Sequence, residues 1–444
     1  MPTTTITSPT PLTPQTFGMS DRAYRFILIV IGIVLIFALA LIKSSAWAHF
    51  WASPAILVYT ILVTTFELSR VVGAIFYSNI TSHAVPSVAT AGDYEPSVSF
   101  VIPCKNEGAA IEKTVRKCFE AEYPAHLLEV IVINDGSTDN TGEVLDSLKP
   151  KYPKLEVVHW DVNRGKRHGM AEGFKRATGE IIVQLDSDSY IEPSTFREIL
   201  APFKDPTIGA VCAHADPENA DQNFLTRMQS AYYFMSFRVL KAAESAFFNV
   251  FCCSGCSSAY RKSVVLPIMD EWLEETFLGL PVTWGDDRAL TNWVLRRGYR
   301  TIYTDRAQAY TICPDNLKQL MTQQVRWKKG WFVNSIFASK FIWRVEPFIA
   351  FTYFFPLILI TLITPFMATK ALVYNPIVHG TGPWFYIIGV ILMASIITVY
   401  YRYVERKNKY WPYLFAWSAL NMVILSFILF YAMFTIQNRK WGTR

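Results

Sequence analysis

The sequence predicts an α/β domain with a doubly wound sheet, inserted between membrane-spanning helices. Three observations predict it. Short β-branched runs alternate with helical periodicity across residues 96–325. Long apolar stretches flank that region on both sides. Charged residues make up 18% of the 444-residue chain and hydrophobic residues 51%, where a soluble chain carries roughly 25% charge. The middle region is as charged as a soluble domain, so the apolar excess belongs to the two ends. This composition excludes a disordered chain and a plain soluble enzyme. The net charge of +6 is scattered and includes no basic run of the kind that grips nucleic acid. Seven cysteines without regular spacing argue against a disulfide framework and fit a reducing compartment. Cys252, Cys253 and Cys256 lack the nearby histidine or second cysteine pair of a zinc site.

In chain order, residues 1–22 are Thr- and Pro-rich and read as a disordered tail without the cationic start of a signal peptide. Residues 23–76 hold two apolar runs, Phe26–Ile42 and Ala52–Ile75, the second broken only by Glu67 and Arg70. Those two charges are i, i+3 neighbours, fitting an interfacial pair or an ion site. Residues 346–404 hold two more apolar runs, and residues 410–437 a fifth. Arg22 and Arg25, and Arg402, Arg406, Lys407 and Lys409, mark the cytoplasmic flanks by the positive-inside rule. The middle domain is then cytoplasmic, on a multi-pass protein of the cell membrane. Both flanks of the fifth run are basic, and Asn421 lies inside it. We therefore expect a re-entrant or interfacial hairpin there rather than a crossing.

Ser97–Pro103, Glu129–Asn134, Leu155–His159 and Ile181–Leu185 are the near-continuous apolar runs of buried parallel strands. Ala109–Glu122 and Gly169–Ala177 have helical spacing between them. Ligands of such sheets bind at the strands' carboxyl ends, and the polar residues cluster there. Lys105 and Glu107 follow the first strand, Asp135 the second, and Asp186-Ser187-Asp188 the fourth. An Asp-x-Asp at a strand end suits a divalent cation bridging a diphosphate, or else a turn whose carboxylates bond their own backbone. Asp287, before the helical run Ala289–Arg297, is either a general base or one of the acids that favour a helix N-terminus. Gln323, Arg326 and Trp327 lie in a polar–aromatic helix. Its tryptophan can floor a pyranose and its guanidinium hold a phosphate, while residues 326–345 also read as an amphipathic interface helix.

Taken in this order, the motifs resemble the processive, membrane-embedded family 2 glycosyltransferases, which include hyaluronan, chitin and cellulose synthases. The resemblance covers residues 96–444 and is strongest to bacterial-type hyaluronan synthases. It rests on Cys253-Ser254-Gly255, Thr276–Pro281, Gly285–Arg288, Gln323–Trp327 and the closing Trp441-Gly442-Thr443-Arg444. It implies a cytoplasmic GT-A domain, UDP-sugar donors, Mg2+ or Mn2+, a nascent polysaccharide secreted through the protein's own helices, and a chain working as a monomer. Residue by residue, it implies metal at Asp188 and base catalysis by Asp287. Donor contacts fall on Lys105, Glu107, Asp135, Lys166, Arg167, Asp186, Gln323 and Arg326, with Trp441 and Arg444 of a gating tail, residues 438–444. Acceptor contacts fall on Ser254, Gly255, Cys256 and Trp327. Cys256 departs from the proline of many hyaluronan synthases, and chitin-oligosaccharide synthases have a comparable cysteine-rich stretch. The polymer therefore stays open between hyaluronan and chitin. A transferase adding one lipid-linked sugar has no use for Gln-x-x-Arg-Trp, and a nucleotide-binding transporter has none for a base at Asp287.

Overall fold

The computed structural model describes residues 20–45 and 54–438. The tail reading for residues 1–19 and the gating residues Trp441 and Arg444 lie outside them. Two helices lead in, α1 (Asp21–Ser45) and α2 (Pro54–Phe76). The domain then runs β1 (Val98–Cys104), α3 (Ile111–Phe119), β2 (Leu128–Asp135), α4 (Thr141–Leu148), β3 (Leu155–Trp160) and α5 (Lys166–Arg176). Next come β4 (Ile181–Gln184), β5 (Ser189–Ile191), β6 (Ile208–Pro217), α6 (Phe224–Phe234) and β7 (Ser258–Arg261). The hairpin β8 (Thr276–Phe277) and β9 (Leu280–Pro281), then α7 (Asp286–Arg296) and β10 (Arg300–Thr311), complete it.

The sheet order is β3-β2-β1-β4-β7-β6-β10-β5. Its first four strands are parallel and joined through helices, as their β-branched runs predict. Val101, Ile102, Val130, Ile131, Val132 and Ile133 are wholly buried, the two-faced burial of a doubly wound sheet. The rest is mixed: β7 runs antiparallel between β4 and β6, and β5 antiparallel to β10. These two reversals build the site. Because β7 runs backwards, the residues just before it sit at the carboxyl ends of β4 and β6. That brings Ser254, Gly255 and Cys256 to the same edge as the Asp-x-Asp. The Asp186–Asp188 turn itself spans from β4 to β5, where Ser189 Oγ bonds Thr311 Oγ1 of β10 at 2.8 Å.

Beyond the domain come α8 (Leu317–Ser339), α9 (Phe355–Thr369), α10 (Trp384–Val404), α11 (Tyr413–Leu420) and α12 (Ile428–Phe434). The expected boundary between domain and interface helix, 325/326, falls inside α8. Among the described residues, five helical segments are long and apolar enough to cross a membrane: Asp21–Ile42, Val58–Ala91, Pro347–His379, Trp384–Val404 and Tyr413–Phe434. Here α1 packs along α10 and α2 along α9, and Phe26, Ile33 and Phe37 stay outward and exposed. The last segment is one helical run, α11 and α12 joined through a π turn at Asn421–Leu425, and not the expected hairpin. The physical reason is plain in the sequence, since residues 413–436 contain no glycine or proline to reverse the chain. This run packs on α6 and α8, tying the C-terminal end to the domain.

Candidate active site

The loops after β1 and β2 are laced together. Ser137 Oγ accepts from the Asn106 N–H at 2.9 Å, and Asn106 Oδ1 from the Thr138 N–H at 2.8 Å. Thr141 Oγ1 accepts from the Glu107 N–H at 2.8 Å. Asn106 sits at φ 55, a left-handed conformation that asparagine tolerates better than most residues. Lys105 and Glu107 therefore ride on a fixed turn at the sheet's carboxyl edge. Asp135, 1% exposed, accepts the backbone N–H groups of Arg164 and Gly165 at 2.6 and 2.8 Å. Its carboxylate pins the loop that launches α5, and the first residue of α5 is Lys166.

Lys166 forms an ion pair with Asp186. Burial works to lower its pKa, but Asp186 and Asp287 more than offset this and hold it above the ordinary lysine value. It therefore stays a full cation in the site. Gly255 is the joint between the two aspartates. Its carbonyl accepts the Asp186 N–H at 2.9 Å, and its own N–H donates to Asp287 Oδ2 at 3.1 Å. A Cβ there would stand 2.9 Å from Asp186 Oδ1 and 3.1 Å from Lys166 Nζ. Glycine is the residue that lets the cation and both carboxylates meet.

Asp287 lies in the first turn of α7, whose N-cap Gly285 is left-handed at φ 68. Cys252 Sγ donates to Asp287 Oδ2 at 3.7 Å. Burial, with Asp287 beside it, pushes the Cys252 thiol up to about 11, so it stays a neutral donor. The sequence weighs Cys252 only as a metal ligand, and the fold is what brings it beside Asp287.

Arg167 is a correction. It does not line the cavity. It is 4% exposed, and Nε pairs with Asp286 Oδ1 at 3.0 Å while Nη1 meets Glu275 Oε2 and the Trp272 carbonyl at 3.0 and 2.9 Å. It clamps Asp286, leaving Asp287 as the member of the acidic pair that faces the cavity. Arg167→Met is expected to cost about 3–5 kcal/mol by stranding two buried carboxylates. The thermal midpoint should drop while the folded fraction keeps its nucleotide affinity. The reverse pattern would return Arg167 to the donor.

α8 is seated against α7 by a glycine contact, since a Cβ on Gly330 would lie 2.9 Å from Gly285 Cα. Across the same contact Asn334 Nδ2 donates to the Gly285 carbonyl at 3.4 Å, and within α8 it donates to the Gly330 carbonyl at 2.9 Å. Gln323 and Gln324 are buried, and Gln324 Nε2 has no hydrogen-bond partner among the described residues. Arg326 makes no ion pair among them. Trp327 is 37% exposed. A cavity of about 530 Å³ gathers Asp186, Asp188, Asp287, Arg326 and Trp327, and Gln323, Ser254, Gly255 and Cys256 line it too. Lys105, Glu107, Asp135 and Lys166 are not on its wall but brace the same strand edge. No group of three His, Cys, Asp or Glu that could hold a metal occurs among the described residues. Asp186 and Asp188 supply hard carboxylate oxygens that fit a cation completed by phosphate and water.

The glycosyl transferase family 2 model matches residues 99–266. Over 438 residues the chain is 30% identical to a hyaluronan synthase of Streptococcus pyogenes serotype M6, covering 95% of this chain and 98% of that one. The chain belongs to glycosyl transferase family 2. Within the family it stands close to hyaluronan synthases: that of Streptococcus pyogenes serotype M1 is 33% identical over 79% of this chain and 84% of its own. An N-acetylglucosaminyltransferase of Azorhizobium caulinodans is 29% identical over 79% and 87%. A mannosyltransferase from Pyrobaculum calidifontis, solved with GDP-Man and Mn2+, shares the fold with a TM-score of 0.53 at 19% identity, over 86% of this chain and 99% of that one. The fold class is thus the GT-A domain between apolar helices that the sequence predicts, and the chain is a glycosyltransferase.

Proposed function

We propose that this family 2 glycosyltransferase polymerises UDP-GlcNAc and UDP-glucuronate into hyaluronan and passes the growing chain out through its own helices, with the domain in the cytoplasm. The observation that carries the reading is one cavity lined by the Asp-x-Asp, Asp287 and Gln-x-x-Arg-Trp together. Asp287 takes the proton of the acceptor hydroxyl as that oxygen attacks the anomeric carbon. The bond from that carbon to the diphosphate breaks, its electron pair leaves with UDP, and the configuration inverts. Lys166 and Arg326 stabilise the departing charge, and Trp327 floors the acceptor ring. A divalent cation, Mg2+ or Mn2+, held by Asp188 with Asp186, would neutralise the diphosphate. Asp135 positions the loop that carries Lys166. Chitin is the alternative product, favoured by the similarity to the Azorhizobium N-acetylglucosaminyltransferase. Purified protein given UDP-GlcNAc, UDP-glucuronate, or both decides the matter: polymer only with both supports hyaluronan, and polymer from UDP-GlcNAc alone supports chitin.

Asp188→Asn should abolish the metal dependence of UDP binding, since a direct ligand is lost. Calorimetry with and without chelator checks this, and metal-dependent affinity equal to wild type would count against it. The tail reading gains support from Lys329, whose Nζ donates to the Asn438 carbonyl at 2.9 Å and so holds the start of residues 438–444 against α8. Trp441→Ala should sharply reduce polymerisation while leaving the protein inserted. A cysteine at position 443 should be labelled only after the membrane is opened.

A further inference from the structure

The acceptor segment enters the site from a strained turn. Phe248 sits at φ 59, a left-handed conformation that a bulky residue keeps only where its surroundings enforce it. Here the Glu244 carbonyl accepts the N–H groups of Phe247 and Asn249, both at 3.2 Å, and the Phe248 carbonyl accepts the Thr301 N–H at 3.0 Å. The chain leaves this turn as Phe251 and Cys252. Cys252 Sγ and, three residues on, the Gly255 N–H are the groups that meet Asp287. Where those contacts fall depends on how the main chain is fixed at Phe251 and Cys252.

Two side chains fix it. Helix α6 continues through a π turn, Met235–Lys241, into the helical turn Ala242–Ser245. Lys241 and Glu244 stand three residues apart there, on one face. Glu244 Oε2 accepts the Phe251 N–H at 3.1 Å, and Lys241 Nζ donates to the Cys252 carbonyl. An anion and a cation thus take the N–H and the C=O of consecutive residues. Glu244 is itself held, since Oε1 accepts the Tyr353 hydroxyl, and the Tyr353 ring stacks on Phe251 with centroids 5.7 Å apart. Lys241 is buried. Burial works to lower its pKa, but Cys212, Cys252 and Glu244 more than offset this and hold it above the ordinary lysine value. It grips the carbonyl as a full cation. Turns of the π type recur at functional sites, and this one delivers Lys241 to the cavity wall beside Cys252, whereas Glu244 is not on that wall.

We propose that Lys241 and Glu244 form a main-chain clamp, two positioning residues that act through the backbone of Phe251 and Cys252 to fix where the acceptor segment meets Asp287. The proposal rests on the glycosyl-transfer reading and deepens it. On the other side of the segment, Thr291 Oγ1 of α7 accepts the Cys253 N–H at 2.9 Å. Without the clamp, Cys252 hangs from that contact, and the strained turn before it is free to relax. The donor groups on β1, β2 and α5 have no part in the clamp, so its loss falls on transfer and not on nucleotide binding.

The test uses full-length protein in lipid nanodiscs, with UDP-GlcNAc supplied with and without UDP-glucuronate. Lys241→Met and Glu244→Leu should each lower the single-turnover transfer rate about 10- to 100-fold, the effect of displacing reacting groups by up to about 1 Å. UDP affinity should stay at the wild-type value. The double variant should be no slower than the slower single one, because either loss already frees the same stretch of main chain. Glu244→Gln keeps an oxygen for the Phe251 N–H and should transfer at a rate close to wild type. Losses that multiply in the double variant, a fall in UDP affinity alongside the rate, or a Glu244→Gln as slow as Glu244→Leu would each overturn the clamp. A slow Lys241→Met beside a wild-type rate in Glu244→Leu would overturn it too, by giving Lys241 a substrate contact of its own. Should a single variant fail to fold for want of its partner charge, the neutral double variant, which strands neither charge, carries the rate and exchange comparisons. If the wild type transfers sugar under neither condition, the functional reading fails. Hydrogen exchange then still decides the clamp: faster exchange over residues 247–253 in the variants, with β1, β2 and β4 protected as in wild type, upholds it, and unchanged exchange refutes it.

Discussion

Asp287→Asn is expected to lower the rate of sugar transfer by about 100- to 10,000-fold, the usual contribution of a positioned general base, with UDP affinity retained. The amide keeps the shape and still accepts the Gly255 N–H that Asp287 Oδ2 accepts at 3.1 Å, so the joint to Asp186 survives. What disappears is the proton acceptor. Asp286 cannot stand in, because its carboxylate is buried and paired with Arg167. The measurement is single-turnover transfer against nucleotide binding on the same preparation. Turnover near wild type would remove Asp287 from the chemistry. A parallel loss of UDP affinity would mean that the substitution had disturbed the Lys166–Asp186 pair instead.

That expectation was half legible in the sequence. Asp186, Asp188, Asp287 and Gln-x-x-Arg-Trp stand in linear order, and β1, β2 and β4 declare themselves through unbroken β-branched runs. The part that could not be read is what joins them. Strand β7 is the short Ser-Ala-Tyr-Arg, and β10 mixes Thr, Asp, Arg and Gln with its apolar residues, so neither shows a strand's hydrophobic signature. Yet the reversal of β7 is what carries Gly255 to the site. Arg167 misled for a related reason. Its position after Gly-Lys suggests a donor contact, but its partners Glu275 and Asp286 lie far along the chain and only folding reveals them. The hairpin expected at residues 412–436 came from charge on the flanks and Asn421. Local helix propensity, uninterrupted by any breaker, decided the conformation instead.

The second large effect is expected from a residue that touches no substrate. Gly330→Ala should reduce transfer roughly 100-fold, the cost of displacing reacting groups by about 1 Å. By helix propensity alone the change would be favourable, since glycine inside a helix costs roughly 0.5–1 kcal/mol relative to alanine. Here the new methyl would meet backbone, 2.9 Å from both Gly285 Cα and Gly285 N and 3.3 Å from the Trp284 carbonyl carbon. No side chain can swing aside to relieve that. The helix carrying Arg326 and Trp327 must move off the turn carrying Asp287, and the Asn334 bond to the Gly285 carbonyl, already 3.4 Å, would break first. The donor groups on β1, β2, β4 and α5 are untouched and only Gln323 and Arg326 move with α8, so nucleotide affinity should fall far less than the turnover number. A thermal scan run beside the kinetics separates this from unfolding. Wild-type turnover in Gly330→Ala would show that the α7–α8 contact does not set the distance between base and acceptor platform.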